Sequence, residues 1–251
     1  MGTSHAITGA AAWIAITATA LPATGIHPLA ATEVVAGTII CAGAALLPDA
    51  DHPSSTIAHS LPGGSIAAGA ISALAGGHRK GMHSLLAVLA LFFLTPQLAK
   101  LTIDIDMWPH QLLFGLAIAI AACTAFALKS LRIVSSWASA WIFAAAVAIA
   151  VHFIPSVFEV LPLCLAIGYL THIAGDMLTS GGVPLFWPLT LKPPKSISRN
   201  KLISMVWRPN GALALPILGD TGSWREWALA TLAAIYVAWG ILATLTADLA
   251  I

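Results

Sequence analysis

Long apolar runs alternate with short polar breaks along almost the whole chain. The runs cover residues 7–21, 30–47, 85–101, 108–128, 135–154, 161–178 and 227–249. A helix needs about 20 predominantly apolar residues to cross a bilayer. The pattern therefore predicts about seven membrane spans. Residues 63–77, made of Gly, Ala, Ser and Ile, are too short and too weakly apolar for a span. They predict a partial or re-entrant segment. Residues 183–224 are polar and Pro-rich, and predict the one sizeable extramembrane segment. The expected fold is all-α: a polytopic membrane helix bundle forming a single integral membrane domain over residues 1–251.

Composition supports this reading. Hydrophobic residues make up 59% of the chain and charged ones 8%, against roughly 25% charged in soluble domains. There is no basic tail and no interleaving of aromatic with basic residues, which argues against a nucleic-acid partner. Cys41, Cys123 and Cys164 all fall inside apolar runs without CxxC spacing, and read as small core residues. No basic region opens the chain as in a signal peptide, so the first run reads as a retained helix.

Polar side chains are scarce, and their placement is informative. With residues 63–77 not crossing, the layout puts Arg79, Lys80, Lys129, Arg132, Lys192, Lys195, Arg199, Lys201, Arg208 and Arg225 on one side and only Lys100 on the other. That bias marks the first side as cytoplasmic, with the N-terminus inside and the C-terminus outside. The same layout brings His5, Asp49, Asp51, His52, His78, His83, His172 and Asp176 to the cytoplasmic face. The charge count did not require that agreement.

His172 and Asp176 are four residues apart at the end of an apolar helix, so they share one face. An imidazole and a carboxylate stacked this way can hold a divalent ion; the plainer reading is a hydrogen bond bracing two helices. PDADHP offers Asp49, Asp51 and His52 in a turn stiffened by Pro48 and Pro53, and could also be a solvated interfacial turn. His78 and His83 flank Arg79, Lys80 and Gly81, a set suited to a metal beside an anionic phosphate but also to a positive-inside anchor. His27, His110 and His152 read as interfacial, and His59 lies near the cluster without a clear role. Glu33, Asp104, Asp106 and Glu159 read as solvated caps. Ser223 and Glu226 have capping-box spacing before the last span. Trp187, Trp207, Trp224 and Trp227 suit an aromatic belt.

Four stretches in order, MGTSHAITGA, LLPDADHP, HRKGMHSLL and GYLTHIAGDMLTSGGVPLFWPL, resemble the YdjM-like inner-membrane proteins. That family is LexA-regulated in its namesake and is described as membrane-bound, predicted metal-dependent hydrolases. The resemblance runs to about Glu226. It implies that His5, Asp49, Asp51, His52, His78, Arg79, His83, His172 and Asp176 occupy the family's polar positions. Met82 departs from the Thr usual there. The expectation is a hydrolase whose metal, zinc first with manganese or iron as alternatives, is held by His5, Asp51, His52, His78, His83, His172 and Asp176. Asp49 or Asp51 would be general base and Arg79 would steady a phosphate. A lipid or other small phosphoester would be the substrate. A metal or proton transporter is the alternative, as is a structural protein with a non-catalytic polar cluster.

Overall fold

The computed structural model describes residues 2–18, 27–104 and 111–248. Among these the regular elements are helices, with isolated β-bridges and no strand. The expected positions His110 and Asp106 lie outside the described residues. In chain order the helices are α1 (Gly2–Thr17), α2 (Ala31–Ala44), α3 (Gly64–Leu74), α4 (Leu85–Leu94), α5 (Phe114–Ser130), α6 (Trp137–His152), α7 (Pro155–Met177), α8 (Lys195–Ser198), α9 (Lys201–Val206) and α10 (Trp224–Asp248). Short 3-10 turns follow α2 (Leu47–Asp51) and precede α4 (Gly81–His83).

Three segments are long and apolar enough to cross a membrane alone: Ala31–Asp51, Pro155–Met177 and Trp224–Ala247. The α4 region with its 3-10 extension, α5 and α6 are apolar but shorter. The expected seven full-length spans are thus three long helices among shorter ones. Pro96 tightens the end of the α4 region into a 3-10 turn over Thr95–Lys100. The start of α7 also differs. The expected run spans residues 161–178, but α7 begins at Pro155 and carries Pro162 inside. Packed apolar helices tolerate such a proline because neighbours re-satisfy the freed backbone group. At the chain start, α1 begins at Gly2, which puts His5 inside its first turns.

The core forms where α1, α2, α5 and α7 meet, with α4, α6 and α10 packed outside. Trp13, Ile40, Cys41, Ile120, Leu161 and Cys164 are buried there. Small residues let the backbones approach closely. A Cβ on Gly43 would sit 1.8 Å from Cys123 O, and one on Gly168 would sit 2.4 Å from Cys41 O. The cysteines are free and buried as expected, and two cap crossing carbonyls: Cys41 Sγ faces Gly9 O and Cys164 Sγ faces Gly37 O, both at 3.2 Å.

Helix α3 has 11 residues, about 16 Å at 1.5 Å per residue, half of a hydrocarbon core of about 30 Å. It packs on the 3-10 turn that holds Asp49 and Asp51 and on the next one, Ile57–His59. Asp51 before it and His78 after it meet in a hydrogen bond of 2.8 Å, so the chain enters and leaves α3 at the same end of the bundle. At that end Thr3 Oγ1 donates to Ser130 O at 2.8 Å, tying the start of α1 to the end of α5. The segment after α7 folds back by backbone pairing of Val183 with Leu213 and of Ser180 with Gly219. Leu85 N donates to Leu185 O, fastening it to α4.

Candidate metal centre

Four polar motifs far apart in sequence converge at one end of the bundle. His172 sits on α7 one turn beyond Gly168, whose missing side chain lets α7 press against the end of α2. There His172 Nδ1–H donates to Ala45 O at 2.7 Å. This bond fixes the tautomer and leaves the Nε2 lone pair facing inward. The side chain is fully buried, and Nε2 has no hydrogen-bond partner.

Around that nitrogen stand other donors of the same kind. His172 Nε2 lies 3.8 Å from Asp49 Oδ1 and 3.7 Å from Asp176 Oδ2. His83 Nε2 lies 3.8 Å and 3.5 Å from the same two oxygens. A tetrahedral ion about 2.0–2.2 Å from each donor needs donors roughly 3.3–3.6 Å apart, so these spacings are close to what an ion demands. Two triads have every donor pair within 4.8 Å: Asp49, His83 and His172, and His5, His172 and Asp176. They share His172. His5 stacks on His172 with ring centroids 3.9 Å apart and reaches Asp176 Oδ1 with Nε2 at 3.5 Å.

Burial sharpens the chemistry. Both nitrogens of His83, Asp51 Oδ2, Asp176 Oδ2 and His172 Nε2 are buried without a hydrogen-bond partner. Orphaned buried polar atoms are costly, and several aimed at one another are relieved by a cation. Burial, reinforced by nearby His172, pushes the His83 imidazole down to about 2, so it stays neutral with a lone pair to offer. The donor set of imidazoles and carboxylates fits a divalent ion such as zinc, manganese or iron.

The remaining motif residues form a second layer. Asp51, fully buried, accepts a hydrogen bond from His78 Nδ1 at 2.8 Å and faces His83 Nδ1 at 3.9 Å. That bond holds the His78 imidazole above its usual range. His78 and His52 belong to neither triad. His52 is part-exposed, lies edge-on to His78 at 4.5 Å and turns Nδ1 to Ser54. Arg79 Nη2 donates to Asp176 Oδ1 at 3.1 Å. Its backbone has φ 55, a conformation that costs a non-glycine residue on the order of 1 kcal/mol and tends to occur at functional sites. Among the described residues the other histidines stay apart: His27 and His59 are exposed, and His152 is buried against Phe158.

Glu226 is closer to the cluster than its capping role suggests. Ser223 Oγ accepts from Glu226 N at 3.3 Å, and Glu226 Oε2 accepts from Gly222 N at 2.7 Å, a capping box displaced by one residue. The buried carboxylate also lines a cavity of about 30 Å³ shared with Ser4, His5, Thr8 and Thr179. Glu33 caps α2, accepting from Ala30 N at 2.7 Å.

Two openings reach the cluster. One, about 240 Å³, is lined by Asp49, His52, Ser54, Thr56, His78 and Arg79. The other, about 560 Å³, shares His78 and Arg79 with the first. No curated protein and no solved structure matches the chain significantly. The model of the YdjM inner membrane protein family, however, matches residues 1–247. With that match and its three bilayer-length helices, the chain is an integral membrane protein belonging to the YdjM inner membrane protein family.

Proposed function

We propose that the protein is a metal-dependent hydrolase whose site lies at the cytoplasmic face of the membrane and acts on a phosphoester. The observation carrying this reading is the group of orphaned atoms: His83 Nε2, His172 Nε2 and Asp176 Oδ2 are buried, unpartnered and 3.5–3.7 Å apart across the imidazole–carboxylate pairs. His172, His83, Asp176 and His5 would hold the ion. When bound, it would supply a water acidic enough to act as a nucleophile near neutral pH.

The chain's own residues account for the rest. Asp51 is fully buried and engaged by His78, so it orients His78 and backs His83. Asp49, with 26% of its side chain exposed at the smaller opening, is the carboxylate free to take a proton from water. Arg79 balances Asp176 and presents the rest of its guanidinium to an incoming anion. The cytoplasmic placement rests on the excess of Lys and Arg at this end, and the shorter apolar helices would complete about seven passes.

A transport path would need polar groups through the bundle. The middle of the core is Trp13, Ile40, Ile120 and Leu161, which supports the one-sided site. The test is metal content by mass spectrometry on detergent-purified protein, wild type beside His172→Ala and Asp176→Asn. Near-stoichiometric metal, lost in both variants, is expected. A wild type that takes up no metal even after zinc or manganese is added would overturn the reading.

A further inference from the structure

The larger opening differs in character from the metal-facing one. Its volume of about 560 Å³ falls within the range of small-ligand sites. It is lined by Arg79, Lys80, Lys192, Thr190, Asn210 and Trp187, and none of its lining residues is acidic. Three cations and two neutral hydrogen-bonding side chains around one concavity suit a multiply charged anion.

The basin is built from two segments held against each other. Gly76 and Gly77 turn the chain with φ 80 and 120. The stem of Lys80 and the Trp187 indole lie over that turn, 3.5–3.8 Å from where side chains on these glycines would begin. Gly181 forms part of the floor, and Arg79 Nη1 passes 2.6 Å from the position its Cβ would take. A single guanidinium thus contacts the Asp176 carboxylate through Nη2 and borders the basin through Nη1. Outside the basin the same segment exposes Phe186, Leu189 and Leu191. An apolar rim beside a cationic basin suits the headgroup layer of a membrane.

We propose that this basin binds the phosphate-bearing end of the substrate, with Lys80 and Lys192 as its recognition residues and Arg79 shared with the metal centre. The inference rests on the hydrolase reading for the word substrate, but the anion site can be tested without metal or turnover. Full-length protein in a neutral detergent, stripped with EDTA, is titrated at low salt with inorganic phosphate and separately with dihexanoyl phosphatidate. Lys80→Gln and Lys192→Gln are compared with wild type, and Lys100→Gln, in the 3-10 turn after α4, is the charge-matched control.

Wild type and Lys100→Gln should bind with equal affinity, and each basin variant about tenfold more weakly. Phosphatidate binding at least about tenfold tighter than phosphate would identify a lipid headgroup as the source; equal affinities would identify a soluble phosphate compound. No binding by the wild type, or wild-type affinity in both basin variants, would overturn the proposal. Metal content of the unstripped samples separates the two readings. Anion binding without metal uptake sinks the hydrolase and spares the basin, whereas metal uptake without anion binding sinks the basin alone.

Discussion

The contact between α2 and α7 couples packing to chemistry at a single glycine. A Cβ on Gly168 would lie 2.4 Å from Cys41 O, 2.8 Å from Ala44 Cβ and 3.0 Å from Ala45 N. A carbon–oxygen contact tolerates roughly 3.3 Å, so in Gly168→Ala the helices must part by about 1 Å. One turn later on α7, His172 Nδ1 lies 2.7 Å from Ala45 O. The same displacement takes that pair to about 3.6 Å, beyond hydrogen-bond range. Overpacking costs about 1–3 kcal/mol and the lost hydrogen bond about 1 kcal/mol more. The histidine also loses the bond that fixes its tautomer, which typically weakens metal affinity about 10–100-fold. Thermal unfolding in detergent and competitive zinc titration read the two effects. Gly69→Ala on α3, where a Cβ meets nothing within 4 Å, is the control and should melt at or slightly above wild type. Wild-type melting and wild-type zinc affinity in Gly168→Ala would refute the coupling.

Two other perturbations separate the layers of the site. His83→Ala, removing a fully buried donor common to Asp49 and Asp176, should abolish metal retention, whereas His52→Ala should leave most of it; equal losses would show that His52 is a ligand. In metal-stripped protein, unfolded His83 takes up a proton below its ordinary value of 6.5, while the folded side chain resists down to about 2. The unfolded state then binds more protons across that window, so stability should fall as pH drops from about 6.5. Melting temperatures should show the fall, with a shallower slope in His83→Gln; an unchanged slope would assign the acid sensitivity elsewhere.

The bundle and the membership of its polar end were legible because the chain is so apolar. Each Asp or His at an apolar run's edge needed a partner, and His5, PDADH, His78–His83 and His172–Asp176 supplied one another. The division of labour inside PDADH was not legible. Asp49 and Asp51 lie in a 3-10 turn, where each residue advances about 120°, so residues two apart point in different directions. Asp49 therefore lies toward His83 Nε2 and His172 Nε2 while Asp51 lies toward His78 and His83 Nδ1, and nothing in the letters assigns the two carboxylates to these different partners. The basin was equally hidden. Lys192 and Asn210 reach it through backbone pairing of Val183 with Leu213, which follows no hydrophobic period.

The stacking of His5 on His172 joins positions separated by most of the chain. During synthesis the first helix is made long before α7 exists, and it carries an imidazole whose companions have yet to be made. The pocket can close only after the intervening helices have been made and the two distant ones have found each other, a meeting of high contact order and correspondingly late in folding. Were an ion held there with His5 among its ligands, then in variants that keep every ligand the fraction of molecules carrying it would count those whose first and seventh helices have met.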